Sequence, residues 1–286
     1  MRDAAAGTKE RIVTLTHQLG PYPQTKASPD CINFRLGHPS PSLLPAREVG
    51  EMAQAKIKDS PLLLQYGKVR GYDAFRESLA QWLSRASGTD ISAANLFITG
   101  GTSTALAFAC QVFASPGERV LCGDPTYFLA QGIFDTHGLS VEGVPVDEHG
   151  MSTDALREAL ARPGRVALIY CMPSFHNPCS VTMPTERRQE LIELAEEHDA
   201  LILADEPYNL LAYDGEPPAP LFAMDEGRGR VLSLGSFSKL LAPGIRLGWA
   251  TGSESLLSRL EGHGSLRSGG VLKQLMTGAV HGLIDS

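Results

Sequence analysis

The feature that most constrains this chain is an alternation that begins at residue 95. Seven short, apolar, partly β-branched runs occur at 96–99, 119–122, 140–146, 166–171, 200–204, 231–234 and 247–251. Stretches with helical spacing separate most of them, at 102–114, 126–137, 152–162 and 185–198. Continuous apolar runs fit strands buried on both faces, and helices between them provide the crossovers that parallel pairing needs. The expected fold is therefore α/β, a mostly parallel seven-stranded sheet sandwiched by helices. In 185–198 the apolar stripe is Leu191, Leu194 and Ala195 with Ile192 beside it, and Pro184 suits a helix start.

The flanks read differently. Residues 1–45 are rich in Pro, Gly, Ser and Thr without sustained periodicity, as in an extended arm. Helical spacing returns at 46–58 and 72–86, where Phe75, Leu79 and Leu83 recur every four residues. Residues 253–286 read as helix, loop (263–270) and helix.

Composition narrows the function classes. With 286 residues the chain is long enough to bury a large core, and 43% hydrophobic against 20% charged residues excludes a disordered chain. Lys plus Arg is 25 and Asp plus Glu is 32, a net charge of −7, which argues against a nucleic-acid binder working by broad electrostatics. No window holds ~18 uninterrupted apolar residues, so no membrane span is expected. The first twenty residues carry Arg2, Asp3, Lys9, Glu10 and Arg11 without an apolar core, unlike a secretory signal. The five cysteines, Cys31, Cys110, Cys122, Cys171 and Cys179, are odd in number and lack Cys-x-x-Cys spacing. No disulfide framework and no metal site are expected, and the reading is a reducing, cytoplasmic compartment. Cys171 and Cys179 read as packing thiols.

Four local features carry chemistry. Gly100-Gly101-Thr102-Ser103-Thr104 follows a strand and opens a helix, where free amides and hydroxyls can hold an anion. Asn177-Pro178 lies past the apolar run at 166–171, in a proline-fixed loop. Asp205-Glu206-Pro207-Tyr208 follows an apolar strand, and open α/β sheets place ligands at the carboxyl ends of strands. Ser236-Phe237-Ser238-Lys239 is followed at seven residues by Arg246. Each alone reads as a turn, a cap or a surface charge. Ser236-x-x-Lys239 also matches the serine–lysine motif of penicillin-binding enzymes, but the Ser-Asp-Asn and Lys-Thr-Gly strings that should accompany it are missing from the sequence.

All four in this order resemble the class I/II aminotransferases, enzymes of fold type I that depend on pyridoxal 5'-phosphate (PLP), within them the 2-aminoadipate and aromatic aminotransferase-like branch. The resemblance runs from about residue 33 to the end of the sequence. It implies PLP as cofactor, amino acid and 2-oxo acid substrates, and a homodimer with shared active sites. By resemblance Lys239 is the Schiff-base lysine, Asp205 pairs with the protonated pyridine nitrogen, and Asn177 and Tyr208 hold the phenolic oxygen. Tyr127 stacks on the ring, and Gly101, Thr102, Ser103, Ser236, Ser238 and Arg246 surround the phosphate. Tyr66 reaches the phosphate of a neighbouring subunit. Gly37 belongs to the arm that closes over substrate, so Gly37 and Asn177 are the substrate-side candidates. The catalytic set is Lys239, Asp205 and Tyr208.

The sequence also departs from that family. After Asn177-Pro178 the family has a small residue and then Gly, whereas here Cys179 and Ser180 follow. Arg35 and His38 stand where the arm has small or apolar residues. Family members continue into a small C-terminal domain that carries an arginine for the substrate α-carboxylate, and Arg259 and Arg267 come too early to be it. The expected organisation is an arm at 1–45, a PLP-binding large domain at 46–270, and the start of the connection to that small domain at 271–286. Three alternatives share the resemblance: a carbon–sulfur β-lyase of the same fold, a non-catalytic PLP-binding remnant, and a sensor domain of a transcription regulator. For the last, the roughly thirty residues before the resemblance are too few for a winged helix.

Overall fold

The structure, a computed structural model, describes Gly37, residues 39–270 and residues 273–285. The chain divides into two compact units, Met1–Leu43 and Leu44–Ser286. In the first, the described residues include a single 3-10 turn, Pro41–Leu43, with no buried side chain. Cys31, Arg35 and His38 lie outside the described residues.

The second unit is built on an eight-stranded sheet: β1 (Leu96–Thr99), β2 (Arg119–Asp124), β3 (Ser140–Asp147), β4 (Gly150–Met151), β5 (Val166–Cys171), β6 (Leu201–Asp205), β7 (Val231–Ser236) and β8 (Gly248–Thr251). Their spatial order is β1-β8-β7-β6-β5-β2-β3-β4. The central pairs β2/β3, β2/β5, β5/β6 and β6/β7 are parallel, and β8 runs antiparallel to both β7 and β1. All seven expected strands are present. The eighth, β4, has only two residues and pairs antiparallel with β3, too short to leave a periodic trace in the sequence.

The helices are α1 (Ala46–Asp59), α2 (Asp73–Ser87), α3 (Thr102–Phe113), α4 (Phe128–Thr136), α5 (Thr153–Leu160), α6 (Thr185–Glu197), α7 (Glu254–Glu261), α8 (Gly264–Arg267) and α9 (Gln274–Asp285). The short α8 replaces part of the loop expected at 263–270. Its Leu266 is buried in the core beside α3, and that burial favours a helical turn there.

Strand alternation sorts the core into layers. Leu168 and Tyr170 of β5 and Leu201 and Leu203 of β6 face α3 and α4. Ile169, Cys171, Ile202 and Ala204 face α5 and α6. At the other end of the sheet Leu96, Ile98 and Trp249 meet Phe75, Leu79 and Leu83 of α2 and Val280 of α9. Such two-sided burial explains why β5 and β6 read as unbroken apolar runs. It also places the carboxyl ends of the parallel strands β2, β5, β6 and β7 along one edge of the sheet.

Candidate active site

The pleat splits the acidic doublet that follows Ala204. Asp205, the last residue of β6, lies on the same face as Tyr170, whereas Glu206 lies on the α6 side. Asp205 is 2% exposed. Its Oδ2 accepts a hydrogen bond from the Tyr170 hydroxyl at 2.8 Å, and the Thr102 hydroxyl also donates to the carboxylate. Its Oδ1 is buried and has no hydrogen-bond partner among the described residues. Burial outweighs the two hydroxyls and pushes the acid up to about 6.

Thr102, Tyr127 and Tyr208 lie close to Asp205, and several other residues singled out in the sequence contact one another. Gly101 caps α3 at φ 95°, a left-handed conformation open to glycine. A Cβ there would stand 3.2 Å from Nη2 of Arg246, so the guanidinium lies against the start of α3. Thr102 and Ser103 are the first residues of that helix, whose unpaired amides form a positive end. At the end of β7, Ser236 Oγ donates to Ser238 Oγ at 2.9 Å, and Arg246 Nη1 donates to Ser238 Oγ at 3.4 Å. The hydroxyls, the guanidinium and the helix end thus meet in one corner whose donors suit an anion.

Tyr127 precedes α4, and burial is the main cause that raises its phenol, with Asp205 and Tyr208 adding to it. Asn177 and Tyr208 come from different loops and are joined by a side-chain hydrogen bond. Lys239 is half-buried, and burial lowers the pKa of its amine. That direction favours the unprotonated form, which is what a nucleophile or a base needs.

Two further named residues are exposed. Tyr66 is 84% exposed, with its ring edge over Gly269. Gly37 is exposed and belongs to the first unit. Cys171 is buried, and burial raises its thiol, whereas Cys179 is only half-buried. The Ser180 that replaces the expected glycine takes φ 58°, so the loop keeps a glycine-like backbone with a side chain on it. Arg259 is engaged elsewhere, its guanidinium 4.4 Å from the Phe113 ring centroid.

Sequence reading missed Tyr170, Glu206 and Arg188. Tyr170 is fully buried and looked like one more apolar letter in β5. Burial raises Glu206 to about 7, although the Ser233 hydroxyl, Arg188 and the Leu221 amide favour its charged form. Arg188 is a buried cation on α6, hidden within a string of charged residues.

Comparison with known proteins gives a consistent result. Residues 29–268 match the family aminotransferase class I and II. Aromatic-amino-acid aminotransferase 1 of Thermococcus litoralis is 37% identical over 237 residues, covering 81% of this chain and 57% of that protein. An uncharacterized HTH-type transcriptional regulator of Bacillus subtilis, YisV, is 32% identical over 237 residues, covering 83% of this chain and 48% of that protein. The chain therefore spans about half the length of such relatives. Among solved structures, multiple substrate aminotransferase from Thermococcus profundus superimposes with a TM-score of 0.81 at 29% identity, covering 100% of this chain and 68% of that one. LysN, the α-aminoadipate aminotransferase of Thermus thermophilus complexed with N-(5'-phosphopyridoxyl)-L-leucine, gives 0.76 at 31% identity, covering 88% and 63%.

Proposed function

The chain belongs to the class I and II aminotransferase family, and from that premise we propose that it moves an amino group between an L-amino acid and a 2-oxo acid, using PLP attached at Lys239. The observation that carries this reading is Oδ1 of Asp205, a buried oxygen without a donor among the described residues, at the carboxyl edge of the sheet. A protonated pyridine nitrogen supplies the missing donor and the opposite charge. The corner of Gly101, Thr102, Ser103, Ser236, Ser238 and Arg246 suits a phosphate, and Gly101 leaves room where a side chain would press on Arg246. The residues fit the cofactor at both ends.

When bound, PLP supplies an electrophilic carbon for amines and a ring that withdraws electrons from the substrate's α-carbon. The chain supplies the rest. Asp205 would hold the proton on the ring nitrogen, its carboxylate kept in place by Tyr170 and Thr102. Asn177 and Tyr208 hold the phenolic oxygen. Lys239 would be the residue that anchors the cofactor, and its amine, made a weaker base by burial, could take up a proton from the substrate's α-carbon. Tyr127, near Asp205 and Tyr208, would contribute an aromatic wall to the same pocket. We further propose a homodimer, supported by the exposed apolar side chains Leu62 (73%), Leu64 (64%) and Tyr66 that lie together in sequence.

The test is a visible absorption titration of the purified chain with PLP, then borohydride reduction and peptide mass spectrometry. A label confined to Lys239 is expected; a label scattered over surface lysines, or none, refutes the reading. Loss of colour with a panel of amino acids then reports transamination. Pyruvate release from a cysteine conjugate without an oxo acid reports a β-lyase instead. The likeness to the B. subtilis regulator supports a sensor reading of the same site, which would show as PLP uptake without turnover.

A further inference from the structure

Arg188 stands on α6 in phase with Leu191, Ile192 and Ala195, and only 4% of it is exposed. Its guanidinium donates four hydrogen bonds. Nε reaches the Met183 carbonyl at 2.8 Å, and Nη2 reaches the Pro173 carbonyl at 2.9 Å and Ser174 Oγ at 2.8 Å. Nη1 reaches the Ala219 carbonyl at 3.0 Å.

These acceptors are the bases of two loops. Pro173, Ser174 and Met183 close the loop that carries Asn177, which is also tied by Met183 N–H to the Pro173 carbonyl at 2.8 Å and His176 N–H to the Val181 carbonyl at 2.9 Å. Ala219 ends the segment that opens with Pro207 and Tyr208. Neighbouring bonds pin the same end: Asn209 Nδ2 donates to the Pro218 carbonyl at 2.7 Å, and Leu221 N–H donates to Glu206 Oε1 at 3.1 Å. One cation therefore joins the closing ends of both loops, while Asn177 of the first meets Tyr208, near the opening of the second, in a side-chain hydrogen bond.

A buried charge among neutral carbonyls is costly unless an opposite charge is near, and Glu206 supplies it. The planar fork matters as much as the charge. A lysine ammonium is a point donor and cannot serve four acceptors spread across a plane.

We propose that Arg188 is a positioning residue that sets the spacing of Asn177 and Tyr208, and so the pair of groups that hold one ligand oxygen between them. The inference rests on the functional reading only for the identity of that oxygen, the phenolic oxygen of PLP.

The experiment has two arms on the chain as it exists. In the first, amide hydrogen exchange is followed without cofactor for the wild type, Arg188→Lys and Ser174→Ala. Exchange in 173–183 and 207–221 should quicken, about tenfold in Arg188→Lys and less in Ser174→Ala, while β6 and β7 keep their protection. In the second, PLP affinity and visible absorption are measured for Arg188→Lys, Asn177→Ala and the double variant. Arg188→Lys should weaken PLP about tenfold, the equivalent of one well-formed hydrogen bond. In the Asn177→Ala background it should weaken PLP much less, because Arg188 acts through that loop. Unchanged exchange, or equal losses in both backgrounds, overturns the proposal. A wild-type chain that takes no PLP would refute the functional reading instead, and the exchange arm would then decide whether Arg188 clamps the loops.

Discussion

Asp205 should be a liability to the empty chain, and Asp205→Asn measures by how much. Burial lifts this acid from 3.8 to about 6. At 1.36 kcal/mol per pH unit, that gap of a little over two units corresponds to roughly 3 kcal/mol. The sign follows from proton linkage. Folded chain holds the Asp205 proton more tightly than unfolded chain, so this contribution is full below about pH 4 and is lost as pH rises through about 6. The amide variant keeps an acceptor for the Tyr170 and Thr102 hydroxyls and carries no charge at any pH. Near pH 4 the two empty chains should be about equally stable. At pH 8 the variant should be more stable, by up to about 3 kcal/mol. Glu206, raised to about 7 mainly by burial and in smaller part by the Asp205 charge, keeps a slope of the same sign in both chains, and the variant relieves that smaller part as well. Urea unfolding at four pH values without cofactor makes the measurement. Saturating PLP should shrink the difference at pH 8, because a ring N–H gives the wild-type carboxylate its missing partner. The reasoning fails if the variant is less stable at pH 8, or if its advantage does not grow between pH 4 and 8.

Other outcomes follow from single contacts. Tyr170→Phe removes a hydroxyl from a buried carboxylate and should cost about 2 kcal/mol at pH 8, read by urea unfolding, and about 1 kcal/mol in an Asp205→Asn background, where the acceptor is neutral. Ser180→Gly relieves a left-handed serine and should stabilise the chain by about 0.5–1 kcal/mol in the same assay. Gly101→Ala places a methyl 3.2 Å from the Arg246 guanidinium at a φ of 95°, so it should cost about 1–2 kcal/mol and weaken both phosphate and PLP in a titration.

The central strands were legible because burial on both faces leaves mostly apolar letters, as in β5, where all six residues are buried, whereas β3 is mostly half-buried or exposed and was legible from its valines alone. Their ends were less so. β2 runs on to Asp124 and β6 to Asp205 in parallel ladders, and β7 to Ser236 in its antiparallel pairing with β8, since a ladder continues through polar residues when its neighbours do. Helix α4 starts at Phe128, later than spacing suggested, because Asp124-Pro125-Thr126 forms a bend before it. The two-residue β4 exists only through its pairing with β3, a property no window of sequence contains.

The site was legible where chemistry sits on a strand end or in a glycine turn, because those residues have no packing reason to be polar. Asp205 is such a case: an acid directly after four buried apolar residues must find a partner or destabilise the fold. The groups that steer it were harder. Tyr170 contacts Asp205 only because β5 and β6 pair in the register that sets Tyr170 against Leu203, two residues before Asp205. Arg188 did leave a trace. It precedes Leu191, Ile192 and Ala195 by three, four and seven residues, on the apolar face of α6, whereas the adjacent Arg187 reaches out to Asp147. A cation in phase with a buried stripe is costly by itself, so its place there required acceptors beneath the helix. The loop feet at Pro173, Met183 and Ala219 are those acceptors, which makes the helix as much a part of the site as the strand ends it supports.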